Sequence, residues 1–275
     1  IDRFPGIPDM TYVYHVIFSR HDRNVLYATF NNHKRGDFKP YVLRSADLGT
    51  TWTAVTGGLP DNGSVYCVLE DPKDAGLLFA GTEFGVHFSN TTGKTWRQLK
   101  AGLPTIAVRD LAIQEREQDL VLATFGRGFY VLDDYTPLRS LNKTEGQEAV
   151  IFPVRDTWQF IESSPLGIRG KGFMGESYYS AENPKVGAII SWYSRDEYKS
   201  KKDQRQAAEA KLVKEGKEIP YPAPEQLKAE QQEEAAYYLF TIRNQKGDIV
   251  RKLKSDVRKG VQRITWDLRT PTTSP

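Results

Sequence analysis

Cysteine is nearly missing from this chain: Cys67 is the single one in 275 residues, so no disulfide forms within it and cysteine usage gives no clue to compartment. Cys67 falls in the middle of an apolar run and reads as a small buried hydrophobe. Histidine is scarce as well. His15, His21, His33 and His87 are scattered without ligand spacing, and no phosphate loop or dinucleotide fingerprint occurs, so no metal and no cofactor is expected. Asp22, Asp37 and Asp61 lie in loop-like stretches but lack EF-hand spacing. No apolar run approaches the length that crosses a bilayer, and no secretory leader is visible. Nor is there an excess of either charge. The 38 basic and 35 acidic residues are mixed along the chain and leave +3, which argues against a nucleic-acid partner.

What is present is repetition. Two octets, Ser45-Ala46-Asp47-Leu48-Gly49-Thr50-Thr51-Trp52 and Ser89-Asn90-Thr91-Thr92-Gly93-Lys94-Thr95-Trp96, share the frame Ser-x-x-x-Gly-x-Thr-Trp. Gly58-Leu59-Pro60 and Gly102-Leu103-Pro104 follow them as turns. Ahead of the octets, Val13 to Phe18, Val65 to Glu70 and Val108 to Ile113 align without gaps. Val25 to Phe30, Leu77 to Thr82 and Leu120 to Phe125 then align in turn, an inserted loop being expected at 31–40. Each copy reads as apolar strand, polar turn, apolar strand and a third strand running into the octet. A period of roughly 40–50 residues built on short strands is the mark of a propeller blade, which must stack to bury its faces.

The octets resemble the Asp-box (BNR) hairpin of sialidases, sortilin-type receptors and related propellers, and their chemistry is structural. Asp47 is suited to accept backbone N–H groups in a tight turn, Gly49 to take positive φ, and Trp52 to pack between strands. Ser45 and Thr51 complete the first box; Ser89, Gly93, Thr95 and Trp96 repeat it. Thr91 replaces the aspartate in the second copy, and the third repeat ends at Gly126-Arg127-Gly128 without an octet. Propellers close with about four to eight blades, whereas residues 1–138 supply about two and a half. The simplest expectation is an all-β architecture in which 1–141 are the C-terminal blades of a larger propeller.

After a polar linker at 142–148 the repeat does not resume. Residues 149–275 read as a fibronectin- or immunoglobulin-like β-sandwich, with strands expected at 149–152, 156–160, 187–193, 236–242, 249–253 and 260–268. A Lys-, Glu-, Gln- and Ala-rich insertion at about 196–235 interrupts it, with helices expected at 206–216 and 225–235. Together the run Ala123 to Leu138, Ile219-Pro220-Tyr221-Pro222 in the insert and the closing Arg263 to Pro271 resemble the large secreted bacterial proteins with sortilin-like, Asp-box propellers, often labelled glycosyl hydrolases. That resemblance covers nearly the whole chain. It implies an exported protein, secreted, periplasmic or on the surface of a bacterium, and it carries no established reaction.

No residue set here reads as catalytic. Glycoside hydrolysis needs two carboxylates facing one bond, and a sialidase needs an arginine cluster. At one aligned register of the innermost strand stand His15, Cys67 and Asp110, with Tyr14, Tyr66 and Arg109 beside them. His15, Arg109, Asp110 and Arg127 are the candidate ligand-binding residues, and an Arg–Asp pair among them would serve structure equally well. The leading expectation is a non-catalytic binding protein whose propeller face receives a peptide or glycan, with the remaining blades as its other partner. A glycoside hydrolase with its catalytic residues in other blades, and a structural subunit of a surface assembly, are the alternatives.

Overall fold

The computed structural model describes residues 4–100, 102–159 and 183–271, in two compact units, Ile1–Glu145 and Gly146–Pro275. In the first unit, β1 (Tyr12–Phe18), β2 (Leu26–Asn32), β3 (Asp37–Ser45) and β4 (Thr53–Ala54) form an antiparallel sheet in sequence order. β5 (Val65–Glu70), β6 (Leu78–Thr82), β7 (Gly85–Ser89) and β8 (Arg97–Leu99) repeat it, and β9 (Val108–Gln114), β10 (Asp119–Thr124) and β11 (Phe129–Leu132) give a third, three-stranded copy. The insertion at 31–40 is not a loose loop. β2 and β3 continue through it, and a 3-10 turn at His33–Arg35 closes the longer hairpin.

The sheets stack face to face. Val25, Tyr27 and Val42 of the first meet Val65, Val68, Leu78 and Trp96 around the second. Phe79, Val86 and Phe88 of the second meet Val108, Leu111, Leu120 and Leu122 of the third. The middle copy is therefore covered on both faces, and β6 and β7 are buried at every position. Its apolar runs are continuous for that reason, where a half-covered strand would alternate. Packing at the second interface is tight around Gly81: a Cβ there would lie 2.6 Å from Cys67 Sγ and 2.7 Å from the Val108 carbonyl oxygen. Cys67 is buried, and burial pushes its thiol up to about 12. It is an inert packing group, not a nucleophile.

The chain leaves β11 through a 3-10 helix at Thr136–Thr144, so the first three linker residues are ordered structure and Thr144 is buried. Arg139 on this helix reaches back to the turn after β5. Its Nε and Nη2 donate to the Asp71 carboxylate at 2.7 to 3.1 Å, and Nη2 also donates to Gln118. Lys73 and Asp74 N–H groups donate to the same carboxylate, which is fully buried. Burial alone would raise the Asp71 pKa, but Arg139 and the other donors hold it below the ordinary range.

In the second unit, β12 (Ala149–Ile151), β13 (Ala188–Ser194) and β16 (Gly260–Trp266) form one antiparallel sheet, and β14 (Tyr237–Arg243) and β15 (Ile249–Asp256) a hairpin. Ile190, Trp192 and Ile264 from the sheet share a cluster with Phe240, Tyr238, Ile242 and Leu253 from the hairpin. Residues 156–159 are not a strand; Trp158 is 72% exposed there, and among the described residues no strand pairs with this stretch to reward its β propensity. The last residue of that expected strand, Phe160, lies outside the described residues. The stretch expected to be an insertion contains α1 (Lys201–Lys214) and α2 (Pro224–Gln231), neither with a buried residue. α1 starts earlier than its composition suggests because Ser200 and Asp203 form a capping box. Arg205 holds the helices together through Glu230 and also meets Glu209.

Candidate recognition site

The same irregularity occurs in the first strand of all three copies. Val13 and His15 pair with Phe30 and Thr29, leaving Tyr14 as an extra residue. Val65 and Cys67 pair with Thr82 and Gly81, leaving Tyr66; Val108 and Asp110 pair with Thr124 and Ala123, leaving Arg109. A β-bulge re-aims its side chain away from the regular pleat. Here three bulges at one register turn Tyr14, Tyr66 and Arg109 into a single row. The Tyr14 and Tyr66 rings meet edge to face at 5.3 Å, and the Arg109 guanidinium lies 3.8 Å from the Tyr66 ring centre. Tyr12 extends the row at 6.3 Å from Tyr14, and Phe125 at 5.2 Å from the Arg109 guanidinium.

Loops between the second and third strands lie at this same end, since Tyr12 pairs with Asn31, Val65 with Thr82 and Val108 with Thr124. They bring Glu83 to accept from the Tyr66 hydroxyl, and Phe125, which is 69% exposed. Burial first, and the Glu83 carboxylate next, push the Tyr66 hydroxyl up to about 12, so it remains a donor at neutral pH. Thr29 Oγ1 donates to the Tyr66 carbonyl at 3.0 Å and ties this bulge to the first sheet.

Of the four residues singled out by sequence, only Arg109 stands in the row. His15 is half-buried and follows its bulge opposite Thr29. Asp110 is exposed and accepts from the Leu111 N–H at 2.9 Å. Among the described residues Arg109 and Asp110 form no buried ion pair. The bulge sends Arg109 onto Tyr66 while Asp110 resumes the strand opposite Ala123. Arg127 is exposed in the loop that carries Phe125, where Gly128 rather than Arg127 supplies the closing contact by accepting from Thr124. The row also takes in Tyr12, Tyr14, Tyr66 and Phe125, with Glu83 bonded to it, none of which was a candidate from sequence. Their signal was the Tyr, Tyr, Arg series one position before the aligned register.

The octets sit at the opposite end of the sheets, where Ser45 pairs with Leu26 and Ser89 with Leu78. Asp47 accepts from the Thr51 N–H at 2.8 Å and its hydroxyl at 2.6 Å, and from Ser45 at 2.8 Å. These bonds, Thr51 foremost, hold its carboxyl down to about 2. Ser45 Oγ accepts from Gly49 N, and Trp52 Nε1 donates to the Gly49 carbonyl. In the second octet Ser89 accepts from Gly93, Thr91 from Thr95 N, and Trp96 Nε1 donates to the Val55 carbonyl at 2.8 Å. Trp96 is buried between sheets, whereas Trp52 is half-buried against Phe4 and Tyr41 on the outer face of the first sheet. Among the described residues no group of three or more His, Cys, Asp or Glu is placed to hold a metal ion.

No protein-family model matches the chain, and no curated protein matches it. In structure it is similar to an ancestral GH74 enzyme at 22% identity and a TM-score of 0.36, over 42% of this chain and 14% of the other. It is similar to the GH74 enzyme of Niastella koreensis at 19% and 0.35, over 43% and 21%. YCF48 from Cyanidioschyzon merolae matches at 17% and 0.30, over 69% and 52%. The chain thus spans less than two thirds of each of these proteins, and likenesses of this size assign no activity.

Proposed function

We propose that this chain is a recognition module of a secreted or cell-surface protein, binding a glycan or peptide along the row of bulged residues. In this reading the three stacked sheets are Asp-box, sortilin-like blades of a larger propeller. The second unit is its fibronectin- or immunoglobulin-like sandwich with a helical insertion. The observation that carries recognition is the triple bulge. Three copies spend a pairing irregularity to bring Tyr14, Tyr66 and Arg109 together beside three loops, and ring faces with few well-placed polar groups are what a ligand site needs. Further blades are the natural partners of the outer faces, where Val16 and Phe18 on one side and Phe129 and Val131 on the other stay exposed.

The reading is tested by screening the full chain on glycan and peptide arrays, then repeating the screen with Tyr12→Ala and Tyr14→Ala. Both residues are exposed enough to be truncated without opening the core. Loss of a bound ligand at unchanged melting temperature is the expected result. A ligand retained by both variants would place recognition elsewhere.

A further inference from the structure

Arg109 is the charged member of the row, and its surroundings specify what it is for. Its Nε is buried without a hydrogen-bond partner, and its terminal nitrogens donate to no group among the described residues. One face of the guanidinium is stacked on Tyr66, and Phe125 stands near it. A guanidinium held this way is ordered before any ligand arrives, and what it still offers is its edge, a planar fork of N–H donors. That fork matches a carboxylate, which accepts two parallel bonds. The carboxylates of Glu83, Asp37 and Asp110 stand at this end and none takes up Arg109: Glu83 accepts from Tyr66, Asp37 from Tyr41 and Asn32, and Asp110, exposed beside Arg109, from the Leu111 N–H. The groups flanking Arg109 are exposed flat rings, Tyr12 and Tyr14 along the row and Phe125 beside it. Such flat, exposed faces are suited to stack on the apolar face of a sugar ring.

We infer that the ligand of this row is an acidic oligosaccharide, with a sugar carboxylate bound by the edge of Arg109 and neighbouring sugar rings stacked on Tyr14 and Phe125. The inference rests on the recognition reading above and narrows it to one ligand class. Titration calorimetry of the full chain with oligogalacturonate, and with the same oligosaccharide as its neutral methyl ester, tests it. The acid should bind roughly tenfold or more tightly than the ester, the difference expected of a charge-assisted bidentate pair. Arg109→Gln should erase that preference, and Arg109→Lys should restore little of it because an ammonium lacks the fork. If Arg109→Gln does not fold, the comparison of acid and ester on the unaltered protein still decides. Equal binding of acid and ester, dependent on Tyr14 but not on Arg109, would overturn this inference and leave the recognition reading standing. Preference for an acidic peptide over the oligosaccharide would also overturn it. Binding of neither would overturn this inference, while the recognition reading stands or falls with the array screen.

Discussion

Removing Arg139 should destabilise the first unit more than removing its partner, and by an amount that depends on pH. In Arg139→Met the Asp71 carboxylate loses its counter-ion while remaining fully buried. An uncompensated buried charge costs about 3–5 kcal/mol, and two surviving backbone donors, Lys73 and Asp74, place this case toward the lower figure. Asp71→Asn is milder. It keeps the shape, and Arg139 retains Gln118, Tyr135 and 18% access to water, so about 1–3 kcal/mol is expected. The double variant should cost less than the sum of the two by about 1 kcal/mol or more. For a unit of this size, 3 kcal/mol moves the melting temperature by about 6–12 °C, well within calorimetric resolution. The sign with pH follows from Asp71 being held below the ordinary carboxylate range. Its contribution is complete above the unfolded value of about 4 and is lost as pH falls through the lower folded value. The gap between Arg139→Met and the unaltered protein should therefore shrink in acid. Strict additivity in the cycle, together with a gap that does not change with pH, would refute the idea that this pair fastens the closing helix to the sheets.

Trp96→Ala should cost about 3–5 kcal/mol in denaturant melts, as loss of a large buried aromatic does. Trp52→Ala should cost distinctly less, because Trp52 is half-buried on an outer face; equal losses would contradict the difference in burial. Thr91→Asp should raise the melting temperature, since an aspartate there is placed to accept from Thr95 N–H and hydroxyl as Asp47 does from Thr51, and a neutral or lower melting point would show that the two turns are not equivalent.

Legibility in the sequence followed the range of the interaction. The octet turns are local: Ser45, Asp47, Gly49, Thr51 and Trp52 satisfy one another within eight residues, so their frame announces itself. Strands ending in Asn, Asp and Gly turns were legible for the same reason. A bulge is different, because it exists only relative to a pairing partner. That Tyr66 is an extra residue depends on Thr82 and Gly81, and its stack on Arg109 joins two sheets. The Asp71–Arg139 pair is likewise non-local. Residues 156–159 misled in the reverse direction, since Thr157 and Trp158 favour a strand but pair with none among the described residues.

The distribution of hydrogen bonds separates the two ends of the stack. At the octet end the polar groups are largely spent on the protein itself: Ser45, Asp47 and Thr51 on one turn, Ser19 on Glu70 between sheets, Asp71 on Arg139. At the other end lie buried groups with no partner among the described residues, Asn31 Nδ2, Ser64 Oγ and Arg109 Nε. Native interiors leave few such atoms, and each asks for a reason. Arg44 Nε, near the octet end, and His87 Nδ1, in the middle of β7, show that the division is not complete. Even so, the uncommitted donors gather where three bulges and three loops converge. A polar ligand reaching that end meets a guanidinium edge that is still free. One reaching the octet end must first displace bonds that hold the turns.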